Sequence, residues 1–234
     1  MRLRKAFTLA EILIVLMVIG ALATLTIPAM MRGVNESQWK TSYKKAYNAI
    51  VNLCAMERIA GNLPSTPDAT GIKKMFTSMK SNLAVKDFAA DLSSAGEVYP
   101  MSSFLQESDL GESATGDKYW LITEDNLAYI VFAGAGTGTG EGEGSKICNP
   151  KATINSQTSL ADAISNTCVY LLVDVNGLGN GPNVVEPQSN SDLSDTEQMA
   201  TLTGDRFYIF VGRDGATAGN KTHLVSGRIA GDIK

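Results

Sequence analysis

From Ile12 to Met31 the chain runs twenty residues without a charge. At 1.5 Å rise per residue, such a run makes about 30 Å of helix, close to the hydrocarbon thickness of a bilayer. Arg2, Arg4 and Lys5 precede it, a basic cluster of the kind that stays on the cytoplasmic side. The run is longer than the apolar region of a cleaved secretory signal, and no small-residue cleavage site stands out after it. The pattern therefore predicts an N-terminal signal anchor. One acid, Glu11, interrupts the apolar residues near their start. At the centre of a span a charge costs ~2.5–3.5 kcal/mol, and less near the interface, where the carboxylate reaches the headgroups. That explains why an acid is tolerated but not why one is chosen. A functional role needs a cation, and the span itself supplies none.

From Asn35 the pattern becomes amphipathic. Trp39, Tyr43, Ala46, Tyr47, Ile50, Leu53 and Cys54 recur at spacings of three and four, with Lys40, Lys44, Lys45, Asn48, Glu57 and Arg58 between them. Gly61, Asn62 and Pro64 then stop the helix. Its second half reads as a stalk with one face packed on a globular head. Gly20 and Pro28 weaken the first half, Pro28 by removing a backbone hydrogen bond and Gly20 by its low helix propensity. Together they predict a segment that loosens when subunits pack.

Residues 65–110 are mixed. "IKKMFTSMKSNLAVKDFAADL" has helix-like spacing, with Met75, Phe76, Met79, Leu83 and Phe88 available for one face, and predicts one or two short helices. Beyond it the period changes to two. "KYWLITEDNLAYIVFAG" predicts strand, turn at Asp125–Asn126, and strand; "CVYLLVDVNGLG" and "DRFYIFVG" each predict another. A long helix followed by strands with tight turns predicts an α+β fold, the N-terminal helix packed against an antiparallel sheet.

The start of the chain carries a family resemblance. "KAFTLAEILIV" resembles the class III signal of type IV pilins and type II secretion pseudopilins, a short basic leader followed by Phe-Thr-Leu-x-Glu and a long apolar helix. The resemblance covers residues 2–31. It implies a leader of residues 1–6, cleavage by prepilin peptidase between Ala6 and Phe7, and N-methylation at Phe7. The family usually has Gly where this chain has Ala6. Glu11 falls on the family's acid, the fifth mature residue, which pairs with a neighbouring subunit's amino terminus and sets filament register. Gly20 and Pro28 stand where the family commonly has a glycine and a proline. The implied organisation is a helix over 7–61, transmembrane over 7–31 and a stalk over 32–61, then a pilin-like α+β head over 62–234.

Charge agrees with an exported subunit. The chain carries −4, and losing the three basic residues of the leader leaves the mature chain at −7. No basic stripe for nucleic acid is visible. The tract "AGAGTGTGEGEGS" follows a strand as a dinucleotide loop would, but Thr139 stands where a third glycine belongs and no apolar helix pattern follows. It reads as a flexible acidic loop. Three cysteines face an oxidising compartment behind such an anchor, where disulfides persist. Cys148 with Cys168 is the expected pair and Cys54 a buried thiol, although sequence does not fix the connectivity. His223 is the only histidine, which weakens transition-metal and hydrolase readings alike.

Asp174, Asn176 and Gly177 form a hairpin-turn pattern. Asp174, Asn176, Asp192, Asp195 and Asp205 also supply the hard oxygens that calcium takes, although no complete EF-hand loop is present. Major pseudopilins carry a calcium site before their last strands, so the resemblance makes a structural calcium the one cofactor to consider. The expected function is that of a non-catalytic structural subunit of a type IV pilus or type II secretion pseudopilus. Its partners would be copies of itself or other pilins, prepilin peptidase and an assembly platform protein. It would sit in the inner (cytoplasmic) membrane with its head outside the cytoplasm. The alternative is a membrane-anchored extracytoplasmic enzyme or binding protein whose anchor resembles a pilin signal.

Overall fold

The computed structural model describes residues 8–64, 69–89, 119–134, 148–154, 158, 160–177 and 204–219. The chain divides into two compact units, Met1–Gln38 and Trp39–Lys234. Helix α1 (Leu9–Ile59) contributes residues to both.

In the first unit α1 presents its apolar side chains to the outside. Ile12, Leu13, Ile14, Val15, Leu16, Met17, Val18 and Ile19 are all exposed. At 100° per residue, consecutive positions cover every face of the helix. The hydroxyls of Thr24 and Thr26 donate to the carbonyls of Ala21 and Leu22, at 2.8 and 3.0 Å, so neither needs a partner outside the helix. The helix continues through Gly20 and Pro28, and a Cβ on Gly20 would meet nothing within 4 Å. Among the described residues no helix is long and apolar enough to cross a membrane.

In the second unit the helical stripe read from sequence is the centre of the core. Tyr43, Ala46, Ile50, Leu53 and Cys54 are buried, with Trp39, Tyr47 and Val51 packed at the margin. Helix α2 (Ala69–Asn82) adds Ile72, Met75, Phe76 and Met79 from one face. Both helices pack on a six-stranded antiparallel sheet of order β1-β2-β3-β4-β5-β6. Its strands are β1 (Val85–Ala89), β2 (Tyr119–Thr123), β3 (Ala128–Ala133), β4 (Val169–Asp174), β5 (Arg206–Gly212) and β6 (Gly215–Ala218). The fold is α+β, as the change of period requires.

One helix expectation is corrected. "VKDFA" is not helical; it forms β1, an edge strand paired with β2 and irregular between Val85 and Asp87. Ser81 and Asn82 turn their side chains back to the carbonyls of Thr77 and Ser78, and α2 ends there. Phe88 therefore lies on the sheet edge, 6.2 Å from the Phe76 ring, rather than on a helix face.

Strands β3, β4 and β5 are buried on both faces. The face toward α1 and α2 carries Tyr129, Val131, Leu171, Val173, Phe207 and Ile209. The other carries an aromatic group in which Phe132 stacks on Tyr170 at 4.8 Å and Tyr208 on Phe210 at 6.0 Å. Two short helices, α3 (Pro150–Thr153) and α4 (Leu160–Ser165), precede β4 and have no counterpart in the sequence reading.

Candidate assembly site and the head sites

The first turn of α1 is closed by its own side chains. Thr8 precedes the helix, and its backbone N–H donates to Glu11 Oε2 at 2.8 Å, as does its hydroxyl at 2.9 Å. The Glu11 N–H returns a bond to Thr8 Oγ1 at 3.3 Å. This is a reciprocal capping box, in which a threonine and the glutamate three residues on satisfy each other's orphan donors. The carboxylate also faces the positive end of the helix dipole. The pattern Thr-x-x-Glu before an apolar run is legible in sequence, although the sequence reading weighs Glu11 as a membrane charge and as an assembly acid and not as a cap. The cap gives Glu11 an intrachain role and fixes its carboxylate beside the amide of the second residue of the implied mature chain.

Ala6 and Phe7 lie outside the described residues, as do Asp192 and Asp195. Of the glycine-rich tract only Ala133 and Gly134 are described; Gly134 donates its N–H to the Cys168 carbonyl at 2.8 Å. Cys148 and Cys168 form a disulfide, Cα–Cα 5.3 Å. Both are buried in the core shared with α1. Cys54 is the free, buried thiol; burial, with Glu57 adding and Arg58 opposing, pushes its pKa up to about 12.

A bend follows β4 at Val175–Asn176, with Gly177 at φ +86°. It meets the β2–β3 turn, where Asn126 takes φ +65° and donates from Nδ2 to the Asn176 carbonyl at 3.5 Å. A Cβ on Gly177 would lie 2.0 Å from that Nδ2, so only glycine fits. Lys45 on α1 reaches the same turn and pairs with Asp125 at 2.6 Å. Burial raises the Asp125 pKa, but hydrogen bonds from Lys45 and Thr123 and the lysine charge outweigh it, and the net shift is downward.

Of the expected calcium ligands, Asp174, Asn176 and Asp205 lie together at the β4–β5 end. Asp174 Oδ2 accepts from Arg206 Nε at 3.1 Å, and Asp174 Oδ1 accepts from the Asn176 N–H at 3.2 Å. Both carboxylate oxygens are thus engaged, and a guanidinium already supplies the cation. Burial, opposed by the Arg206 hydrogen bond and reinforced by the charge of Asp205, raises the Asp174 pKa. A dication beside Arg206 would meet like charge, so the described donors do not fit calcium. Among the described residues no group of three or more His, Cys, Asp or Glu side chains is arranged to hold a metal.

No family model matches the chain, and neither a curated protein nor a solved structure matches it.

Proposed function

We propose that this chain is a structural subunit of a helical filament, a type IV pilus or a type II secretion pseudopilus. In this reading it is inserted in the cytoplasmic membrane by α1 and cut between Ala6 and Phe7 by prepilin peptidase. It then assembles through α1 with copies of itself or other pilins on a platform protein. Its role is structural, with no catalysis and no resident cofactor.

One observation carries the reading above the others. Ile12–Ile19 expose apolar side chains on every face of α1, from 47% at Ile12 to 76% at Met17. A helix apolar all round belongs in lipid or within a bundle of other helices, and a filament subunit needs both environments in turn. The internally bonded Thr24 and Thr26 hydroxyls suit either one. Glu11 is held at the helix start by Thr8, and in this reading its carboxylate is the partner for a neighbour's new amine in a low-dielectric bundle.

Processing tests the reading. Mass spectrometry of the mature protein is expected to show Phe7 first and N-methylated. Retention of Met1–Ala6 in a host with active prepilin peptidase overturns it and leaves a plain membrane anchor.

A further inference from the structure

Helix α2 turns a polar face outward. Lys73, Lys74, Thr77 and Ser78 on that face, with Glu57 from the last turn of α1 and Asn62 just beyond it, line a groove of about 510 Å³. Its polar residues run from Thr70 to Asn82, so at 1.5 Å per residue it is about 18 Å long, room for an extended segment. Glu57 accepts a hydrogen bond from Ser78 across the groove, which ties α1 to α2 and occupies the groove's carboxylate.

The lysines of this region are used unequally. Lys80 sits over the Phe88 ring at 3.6 Å, and Lys45 on α1 holds Asp125. Lys73 and Lys74 are exposed and make no ion pair among the described residues. Residues 69–89 hold four lysines, Lys73, Lys74, Lys80 and Lys86, against one acid, Asp87. The whole chain is nevertheless at −4, so its acidic excess lies entirely elsewhere. A groove lined by hydroxyls and two ammonium groups offers donors, which is what carboxylates require. The chain's own acidic excess is complementary in sign to this groove, and a second copy brings it.

We propose that this groove docks an acidic segment of a second copy of the chain, with Lys73 and Lys74 as its charge partners. The inference rests on the filament reading, to which it adds a surface on the head through which neighbouring subunits touch. Exposed complementary charges set register and encounter rate more than affinity, so the contact is salt-sensitive and works alongside α1 rather than in place of it.

The test uses full-length chain in neutral detergent micelles, isotopically labelled and unlabelled copies mixed, and a zero-length carbodiimide cross-linker read by peptide mass spectrometry. Links from Lys73 or Lys74 to carboxylates of the other isotopic form are expected at low salt. They are expected to fall about fivefold at high salt; the Lys73→Glu, Lys74→Glu variant, which lacks those amines, is read through mixed-isotope links from Lys80 and Lys86 of the same region, which are expected to fall about fivefold from their wild-type level, the effect of two exposed ion pairs. Lys73→Gln, Lys74→Gln gives a neutral control should charge reversal disturb folding. Links confined to single copies overturn the proposal, as do mixed links that both variants retain. The two readings fail separately. An uncut leader with mixed links present refutes the filament and spares the groove; a methylated Phe7 without mixed links does the reverse.

Discussion

Arg206 stands opposite Asp174 in the β4–β5 ladder, and the two side chains form an ion pair with 2% and 0% of their surface in contact with solvent. The pair lies on the sheet face away from α1, beside the aromatic group of Tyr170, Tyr208 and Phe210. Desolvating both ions offsets much of their attraction, so the intact pair adds little net stability, whereas a stranded partner is costly. Asp174→Ala is expected to lower unfolding free energy by about 3–5 kcal/mol in urea titrations. Asp174→Leu combined with Arg206→Met is expected to lose less than either single change. A double variant as unstable as the sum of the singles would show that the two residues act independently.

The Lys45–Asp125 pair sits at the other extreme, with side chains 65% and 32% exposed. Because the folded-state pKa of Asp125 lies below its unfolded value, the pair's contribution is present above about pH 4 and is lost as pH falls through the folded pKa. Solvent screening keeps that contribution under about 1 kcal/mol. Lys45→Met is expected to lower stability above about pH 4 by that amount and to leave it unchanged at acid pH, where the pair is already lost, so that the acid limb flattens. An unaltered acid limb would assign the low Asp125 pKa to Thr123 alone.

Thiol chemistry reports on the core. Non-reducing peptide maps are expected to join Cys148 to Cys168, and Cys54 is expected to alkylate only after unfolding, since its thiol is buried with a pKa near 12. Reduction opens a closure of about twenty residues, worth about 3 kcal/mol on the chain-entropy estimate. Rapid labelling of Cys54 in the native chain would mean that α1 separates from the sheet without global unfolding.

Glu11 and Thr8 separate capping from assembly. Loss of the box costs about 0.5–2 kcal/mol at the helix start, and Thr8→Val and Glu11→Ala share that loss. If the chain assembles as proposed, Glu11→Ala also strands a neighbour's buried amine, at about 3–5 kcal/mol per added subunit. Sheared or cross-linked filament yields are therefore expected to fall steeply for Glu11→Ala, partially for Glu11→Gln and least for Thr8→Val, at equal membrane levels. Equal yields for wild type and all three variants would leave Glu11 a helix cap and nothing more.

The sequence resolved those features whose cause is local. The stripe from Trp39 to Cys54 is buried because three-and-four spacing survives any tertiary context, and the Asp125–Asn126 turn forms because Asn adopts positive φ cheaply. The strand at Val85–Ala89 was hidden because its partner, β2, lies some thirty residues on and overrides weak local spacing. The pairing of Asp174 with Arg206 was illegible because it is set by cross-strand register that no spacing rule encodes. The burial of both faces of β3–β5 was illegible for the same reason: alternation predicts which residues share a face, and whether that face meets water is decided by the rest of the chain.

The burial of Tyr43, Ala46, Ile50 and Leu53 has a mechanical consequence. These residues span about three turns of α1 and are each 1% exposed or less, locked against the sheet and, through Cys148–Cys168, against a covalent cross-link in the same core. A load applied along that part of the helix would have to shear every one of those contacts at once, instead of peeling them away in sequence. Under such a load, that stretch of helix and the sheet beneath it would yield together or not at all.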